Sequence, residues 1–170
     1  GFTDVLLRRG AREVVAVDVG YGQLAWELRQ DPRVLVLDRT NIRHLTGDIV
    51  GEPTGLVVAD LSFISLTLVL PALSAVSKSD ADFLLMVKPQ FEVGRERLGA
   101  GGVVRDSALR KSAVLDVATS AYDVGLGTKG VVASSLPGPA GNVEYFLWLK
   151  RGAQEISEID LEKAIEIGPQ

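Results

Sequence analysis

Three short stretches of the chain each carry one charged residue at the edge of an apolar run. They cover residues 58–65, 87–94 and 141–146, and their charged residues are Asp60, Lys88 and Glu144. A charged side chain beside an apolar run is costly to desolvate unless it has a partner or a ligand. Three such residues in one small chain therefore predict convergence on a single site, in which an amine and two carboxylates act together. An enzyme is the first hypothesis.

A charged residue also stands at the end of four successive predicted strands. The strands are predicted at residues 14–19, 34–38, 56–61 and 82–87, and the charged residues are Asp18, Asp38, Asp60 and Lys88. Open α/β sheets bind ligands outside the carboxyl ends of their strands. A carboxylate there can accept hydrogen bonds from two ribose hydroxyls at once, and Asp18 is the candidate. The alternative is that Asp18 caps the turn at residues 20–22.

Helical segments separate these strands. We predict helices at residues 3–9, 24–30, 66–76, 107–122 and 159–167, and two more strands at 129–134 and 143–149. Asp31-Pro32 ends the second helix and Gly125 closes the fourth. Alternating strands and helices predict an α/β fold, a mostly parallel sheet with helices on both faces.

Composition limits the class of protein. The chain has 170 residues, of which 46% are hydrophobic, and a mean hydropathy of +0.21, which predicts one compact domain. It contains no cysteine, so disulfides and thiolate metal sites are excluded and the cytoplasm is the expected location. No apolar stretch is long enough to predict a membrane span.

The net charge of −4 has the wrong sign for binding nucleic acid by bulk electrostatics. Any RNA contact must therefore be local. Basic residues cluster in two places, which are Arg95, Arg97, Arg105, Arg110 and Lys111, and Arg39, Arg43 and His44. The alternative is that these residues are ordinary solvated surface charge.

Four runs of sequence carry a family resemblance. Residues 19–26, 59–65, 87–92 and 141–146 resemble, in the right order, the TlyA family of ribosomal RNA 2′-O-methyltransferases, which have also been labelled hemolysins. The resemblance implies a Rossmann-like, S-adenosylmethionine-dependent methyltransferase fold of the FtsJ type, with ribosomal RNA or ribosomal subunits as partners. Its expected reaction is methyl transfer to ribose 2′-hydroxyls, those of cytidine in this family, without a metal.

The resemblance also assigns residues. Asp60, Lys88 and Glu144 match three members of a catalytic Lys-Asp-Lys-Glu tetrad. The residues matched to the binding of S-adenosylmethionine are Gly1, Phe2, Asp18, Tyr21, Asp38, Arg39 and Asp60. Gly1 and Phe2 match the end of a glycine-rich cofactor loop, and Asp38 with Arg39 matches an adenine contact. The alternatives to these cofactor-binding roles are that Asp38 is an exposed loop acid and that Tyr21 is a packing residue.

In the family, four features precede the point that matches the start of this sequence: a first strand, the glycine loop, the first tetrad lysine and an S4-like RNA-binding domain. We therefore expect an FtsJ-like methyltransferase domain at residues 1–150, incomplete at its N-terminus, and a C-terminal tail with a helix at 151–170. We also expect the chain to be inactive by itself, because most of the cofactor loop and the first strand would be missing.

Several features allow two interpretations. Phe63 and Phe91 could stack on an RNA base or be buried packing residues. The glycine-rich segment 92–106 resembles a lid or a surface loop. For the whole protein, the alternatives to an enzyme are a catalytically silent RNA-binding or ribosome-associated module and, with weaker support, a membrane-lytic hemolysin.

Overall fold

A computed structural model describes residues 1–168, with the side chain of Pro139 outside the description. The last two residues of the predicted tail, 169 and 170, also lie outside the described residues. The chain forms two compact units, residues 1–53 and the residues from 54 onward.

The first unit contains a two-stranded parallel sheet. Its helices and strands are α1 (Phe2–Arg8), β1 (Val14–Val17), α2 (Trp26–Arg29), β2 (Val34–Leu37) and α3 (Gly47–Val50). β1 and β2 pair from Val14 opposite Val34 to Val17 opposite Leu37. Their β-branched residues favour strands, and Asp31-Pro32 follows α2 as predicted.

The second unit contains a four-stranded sheet in the order β3-β4-β6-β5. Its helices and strands are β3 (Thr54–Ala59), α4 (Leu70–Ala75), β4 (Ser77–Val87), α5 (Pro89–Glu92), α6 (Ser107–Asp123), β5 (Leu126–Ala133), β6 (Tyr145–Arg151) and α7 (Glu158–Ile167). A 3-10 turn at Leu66–Leu68 precedes α4, so the predicted helix at 66–76 is two short pieces. The helix in the predicted tail, α7, packs against β5 and α6.

The prediction of a mostly parallel sheet is wrong. β1 pairs with β2 and β3 with β4 in parallel, but β4 with β6 and β5 with β6 are antiparallel. The physical reason is the short connection between β5 and β6, residues 134–144, because a parallel pair needs a longer crossover. The α/β class is confirmed and the sheet is mixed. The first strand and the domain boundary at residue 150 stay predictions.

The core of the second unit fixes the strand ends. From Ala81 to Val87, β4 alternates fully buried and partly exposed side chains. The fully buried side chains of β4 and β6 are Ala81, Phe83, Leu85, Val87, Tyr145, Leu147 and Leu149. The predicted helix at 107–122 is confirmed as α6, whose first turn is capped by Asp106 Oδ1 accepting from the Ala108 amide at 2.8 Å.

Candidate active site

Lys88 and Asp60 meet at one edge of the sheet. β3 and β4 run parallel with Ala59 opposite Leu85, so the residues that follow the two strands emerge on the same side. Lys88 Nζ lies 2.6 Å from Asp60 Oδ1 and donates to Ser62 Oγ at 3.2 Å. The Lys88 side chain is only 11% exposed, and that of Asp60 is 46% exposed. Lys88 is thus a largely buried cation held by two oxygen atoms, with the carboxylate open to solvent.

Glu144 joins the same edge from the antiparallel neighbour. Val87 pairs with Tyr145 at the start of β6, which brings the preceding residue, Glu144, toward Lys88. Glu144 is 7% exposed and its Oε1 has no hydrogen-bond partner within residues 1–168. Burial raises the pKa of the Glu144 carboxyl; the Lys88 charge opposes that shift and the Asp60 charge adds to it. The three residues predicted from sequence therefore form one electrostatic group.

The turn before Glu144 leaves no space around its carboxyl. Gly138 N donates to Asn142 O at 2.8 Å, which closes the turn. A Cβ atom at Gly138 would lie 2.5 Å from Glu144 Oε1. Asn142 ties this turn to the glycine-rich segment, because its side chain accepts from Val104 N at 3.0 Å and donates to Gly102 O at 3.1 Å.

Phe63 stands out from the loop between β3 and the 3-10 turn. It adopts a left-handed backbone conformation with φ of 64° and is 91% exposed. The Phe63 and Phe91 ring centroids lie 5.1 Å apart with the rings tilted. The interpretation of Phe63 as a buried packing residue is therefore wrong, and its neighbour Ser62 accepts a hydrogen bond from Lys88.

Sequence reasoning missed three residues of this site. Ser62 and Asn142 are the hydrogen-bonding residues described above, and Glu92 accepts hydrogen bonds from Ser65 and Leu66. All three stand inside the runs that carry the resemblance. The sequence did not show their contacts, because their hydrogen-bond partners lie 26 to 40 residues away in the chain.

In the first unit, the predicted cofactor residues lie beyond the carboxyl ends of β1 and β2. Asp18 Oδ1 accepts from the Gly20 amide at 2.7 Å, so the side chain caps the turn with one oxygen while remaining exposed. Asp38 is engaged more fully: its Oδ2 lies 2.8 Å from Arg29 Nη1 and accepts from the Gly22 amide at 3.4 Å. The alternative of an exposed loop acid does not describe Asp38, whose side chain is 14% exposed.

The remaining predicted cofactor residues sit on two local features. The Arg39 guanidinium lies 4.7 Å from the centre of the Tyr21 ring, a cation–π contact beside an exposed aromatic face. Gly1 precedes α1, where its carbonyl accepts from the Val5 amide at 3.3 Å, and Phe2 is the first residue of that helix. Their assignment to the cofactor stays a prediction.

Part of the predicted basic cluster is used within the fold. Lys111 Nζ pairs with Glu162 at 2.9 Å and with Glu158 at 3.3 Å. Arg110 is buried, and Arg97 donates to the Val93 carbonyl at 2.6 Å. These contacts leave less of the cluster for RNA than the sequence indicated.

Two features are absent among the described residues. No helix among them is long and apolar enough to cross a membrane. No group of three or more histidine, aspartate or glutamate side chains among residues 1–168 is arranged to hold a metal ion.

Comparison with known proteins supplies the family. Residues 1–151 match the model of the FtsJ-like methyltransferases. The chain is 59% identical over 97% of its length to the Mycobacterium tuberculosis 16S/23S rRNA (cytidine-2′-O)-methyltransferase TlyA, and it spans 62% of that relative. Its structure is similar to that of a candidate hemolysin from Streptococcus thermophilus, with a TM-score of 0.92 and 38% identity over 97% of this chain and 61% of that one.

A more distant likeness concerns the fold alone. A candidate S-adenosylmethionine dependent methyltransferase from Listeria monocytogenes shares the fold with a TM-score of 0.62 at 14% identity, over 86% of this chain and 84% of that one. The α/β architecture, the grouped Asp60, Lys88 and Glu144, and the family match over residues 1–151 agree. The chain belongs to the FtsJ-like methyltransferase family.

Proposed function

We propose that the protein transfers a methyl group from S-adenosylmethionine to a ribose 2′-hydroxyl of ribosomal RNA, with cytidine as the target nucleoside. The observation that carries the proposal is the Lys88 ammonium, largely buried and held between Asp60 at 2.6 Å and Ser62 at 3.2 Å, with Glu144 in its field. The cytidine assignment rests on the M. tuberculosis relative, which is named as a cytidine-2′-O-methyltransferase. Because the chain spans 62% of that relative, the activity is proposed for the whole protein.

The first unit fits the nucleoside part of the cofactor. Asp18 uses Oδ1 for the Gly20 amide, so Oδ2 remains to accept from a ribose hydroxyl at the end of β1. Tyr21 presents an exposed ring, with Arg39 over its face. When bound, S-adenosylmethionine supplies an electrophilic methyl group on a positively charged sulfur, which is already an activated leaving group.

Lys88 orients the attacking hydroxyl. An ammonium has three N–H donors, and Asp60 and Ser62 accept from two of them, which leaves one direction for a substrate oxygen. In its neutral form, the same Nζ takes the hydroxyl proton. Asp60 holds Nζ at a fixed place, and Glu144 adds a second carboxyl group to its surroundings. Positioning supplies much of the rate when the leaving group is already activated.

Phe63 fits the nucleobase of the target nucleotide. Phe63 directly follows Ser62, which accepts from Lys88, and its exposed ring offers a stacking face for an unstacked base, which is how single-stranded RNA is recognised. The net charge of −4 gives little general attraction for RNA. We therefore propose that an S4-like RNA-binding domain in the same protein supplies the remaining affinity, and that the protein works in the cytoplasm, where ribosomes are.

The test compares cofactor binding with methyl transfer. Calorimetry measures S-adenosylmethionine binding by the 170-residue chain and by a chain extended to the length of its relatives, and labelled-methyl transfer to ribosomal RNA follows in the form that binds. Lys88→Ala is expected to slow transfer at least about a hundredfold, while the cofactor Kd changes less than about threefold. Lys163→Ala, an exposed lysine of α7, is the matched control.

Each outcome decides a different part of the proposal. Transfer by Lys88→Ala at the wild-type rate would reject the role of Lys88. Cofactor binding without transfer by the wild-type protein would favour a catalytically silent RNA-binding module. Asp18→Ala is expected to lose S-adenosylmethionine binding and to retain the fold, because the Asp18 carboxylate is proposed to bind the cofactor.

A further inference from the structure

Glu92 contacts the loop that follows Asp60 at a second point, separate from the contacts of Lys88. The Glu92 carboxylate accepts from Ser65 Oγ at 2.5 Å and from the Leu66 amide at 2.9 Å. These donors belong to the start of the 3-10 turn at Leu66–Leu68, where Ser65 is the N-cap. The contact joins two stretches that lie 26 and 27 residues apart in the chain.

We propose that Glu92 is a positioning residue, which holds the loop of residues 60–65 so that Asp60 and Ser62 stay on the Lys88 ammonium. This inference rests on the proposed methyl transfer. Glu92 touches no reacting atom; it acts through the loop. Neither the family match nor the names of the relatives assign it a role.

One short helix carries Lys88 and Glu92 at its two ends. Lys88 is the N-cap of α5 and Glu92 is its last residue, so a single helical turn joins the two side chains. Pro89 at the first helical position is buried and fixes the backbone there. The loop is therefore attached twice to the same short turn, to Lys88 through Asp60 and Ser62 and to Glu92 through Ser65 and Leu66.

The loop needs this second attachment. Between the two attachments lies Phe63, whose left-handed backbone is an unfavourable conformation for a residue with a Cβ atom. A loop held only at Asp60 and Ser62 would be free to relax at Phe63 and to move both oxygens away from Lys88. A single turn of helix is also unstable by itself, so the loop and α5 depend on each other.

Glu92 accepts two hydrogen bonds in surroundings that disfavour its charged form. Burial, together with the nearby Asp116 charge on α6, raises the pKa of the Glu92 carboxyl, whereas the two donors oppose that shift. A buried carboxylate facing another acid is a costly way to cap a three-residue turn. A role in holding the site explains why an acceptor with two oxygens stands there.

The experiment combines hydrogen exchange with kinetics. In Glu92→Ala, amide exchange in a peptide covering residues 60–69 is expected to accelerate about tenfold to a hundredfold, and exchange in β5 is expected to stay at the wild-type rate. Turnover is expected to fall by a similar factor, with the cofactor KM changed less than about twofold. Glu92→Gln keeps an oxygen for the Leu66 amide and is expected to recover most of both losses.

Two further variants make the result decisive. Glu166→Ala removes an exposed glutamate of α7 and serves as the matched control. If Glu92→Ala fails to fold, Ser65→Ala takes its place, because it removes one of the two donors to Glu92 and leaves the other.

The proposal is overturned if exchange in residues 60–69 is unchanged, if exchange accelerates equally across the whole second unit, or if turnover is unaffected while the loop opens. The exchange measurement needs no methyl transfer. A protein that never methylates RNA but shows the expected loop opening would therefore reject the proposed function and retain the attachment by Glu92.

Discussion

Two separate predictions concern Phe63, because its backbone conformation is expected to affect stability and its ring is proposed to stack on RNA. Phe63→Ala keeps a Cβ atom in the left-handed conformation, whereas Phe63→Gly removes the steric cost of that conformation. Both variants lose the ring and its contact with Phe91, whose centroid is 5.1 Å away. The two variants therefore differ only in backbone strain and agree in the loss of the aromatic face.

The stability difference follows from the backbone. The left-handed conformation costs a residue with a Cβ atom about 1–2 kcal/mol, and glycine avoids that cost. Phe63→Gly is therefore expected to be more stable than Phe63→Ala by about 1 kcal/mol after the larger chain entropy of unfolded glycine is subtracted. The wild-type ring contributes only its pairing with Phe91, about 0.5–1.5 kcal/mol, because the Phe63 side chain is otherwise exposed.

The activity difference follows from the ring. Base stacking on an aromatic side chain is worth about 1–3 kcal/mol, so both variants are expected to lose about fivefold to a hundredfold in kcat/KM for RNA. Phe63→Trp is expected to retain activity. Urea unfolding measures the first difference, and methyl transfer to ribosomal RNA the second, with Ile159→Ala as an exposed control on α7.

Two results would refute this reasoning. Equal stability of Phe63→Gly and Phe63→Ala would show that the residue is unstrained. Unchanged kcat/KM for RNA in both variants would show that no base stacks on the ring.

Three other changes test the surroundings of the site. Gly138→Ala places a methyl group 2.5 Å from Glu144 Oε1 and is expected to displace that carboxyl group. The expected results are a loss of about 1–3 kcal/mol in the free energy of unfolding in urea and reduced methyl transfer. Gly130→Ala, where the nearest atom to the new methyl group lies at 3.9 Å, is the control, and equal effects of the two variants would contradict the clash. Glu144→Gln is expected to raise the thermal midpoint at neutral pH and to reduce methyl transfer. Because burial raises the pKa of this carboxyl from 4.5, the folded state binds the proton more tightly than the unfolded state and loses stability as pH rises above 4.5. The variant should lack this trend, and identical pH profiles of stability for the two proteins would disprove it. Asn142→Ala leaves the Val104 amide and the Gly102 carbonyl without their side-chain partner, so proteolysis within residues 95–105 is expected to accelerate. An unchanged cleavage rate would show that other contacts hold this segment.

The sheet shows where sequence patterns stop being informative. Each strand was found from its apolar run, because burial on a pleated surface leaves a local signature. The direction of β6 left none, since Tyr145–Arg151 reads the same whether its neighbours run parallel or antiparallel. The error in the sheet came from extending the alternation of strands and helices to a connection too short for a crossover.

Among the site residues, charge was the visible signal. Asp60, Lys88 and Glu144 stand out because a charged group beside buried strands demands a partner. Glu92 is equally charged, but the sequence could not show that it faces Ser65 and Leu66. For Phe63 the sequence left two interpretations open, since an aromatic residue in an apolar context is usually buried, and only the structure shows that its side chain is 91% exposed.

The sequence by itself determined the α/β class, the positions of the strands, the three charged residues of the site and the likeness to a methyltransferase family. These follow from local composition, the burial period and short motifs, which are properties of neighbouring residues. The tertiary structure alone decided the mixed strand order, the 2.6 Å approach of Lys88 to Asp60, the attachment of their loop by Glu92 and the exposure of Phe63. Each of these depends on how segments that are distant in the chain pair and pack, which the neighbouring residues in the sequence do not specify.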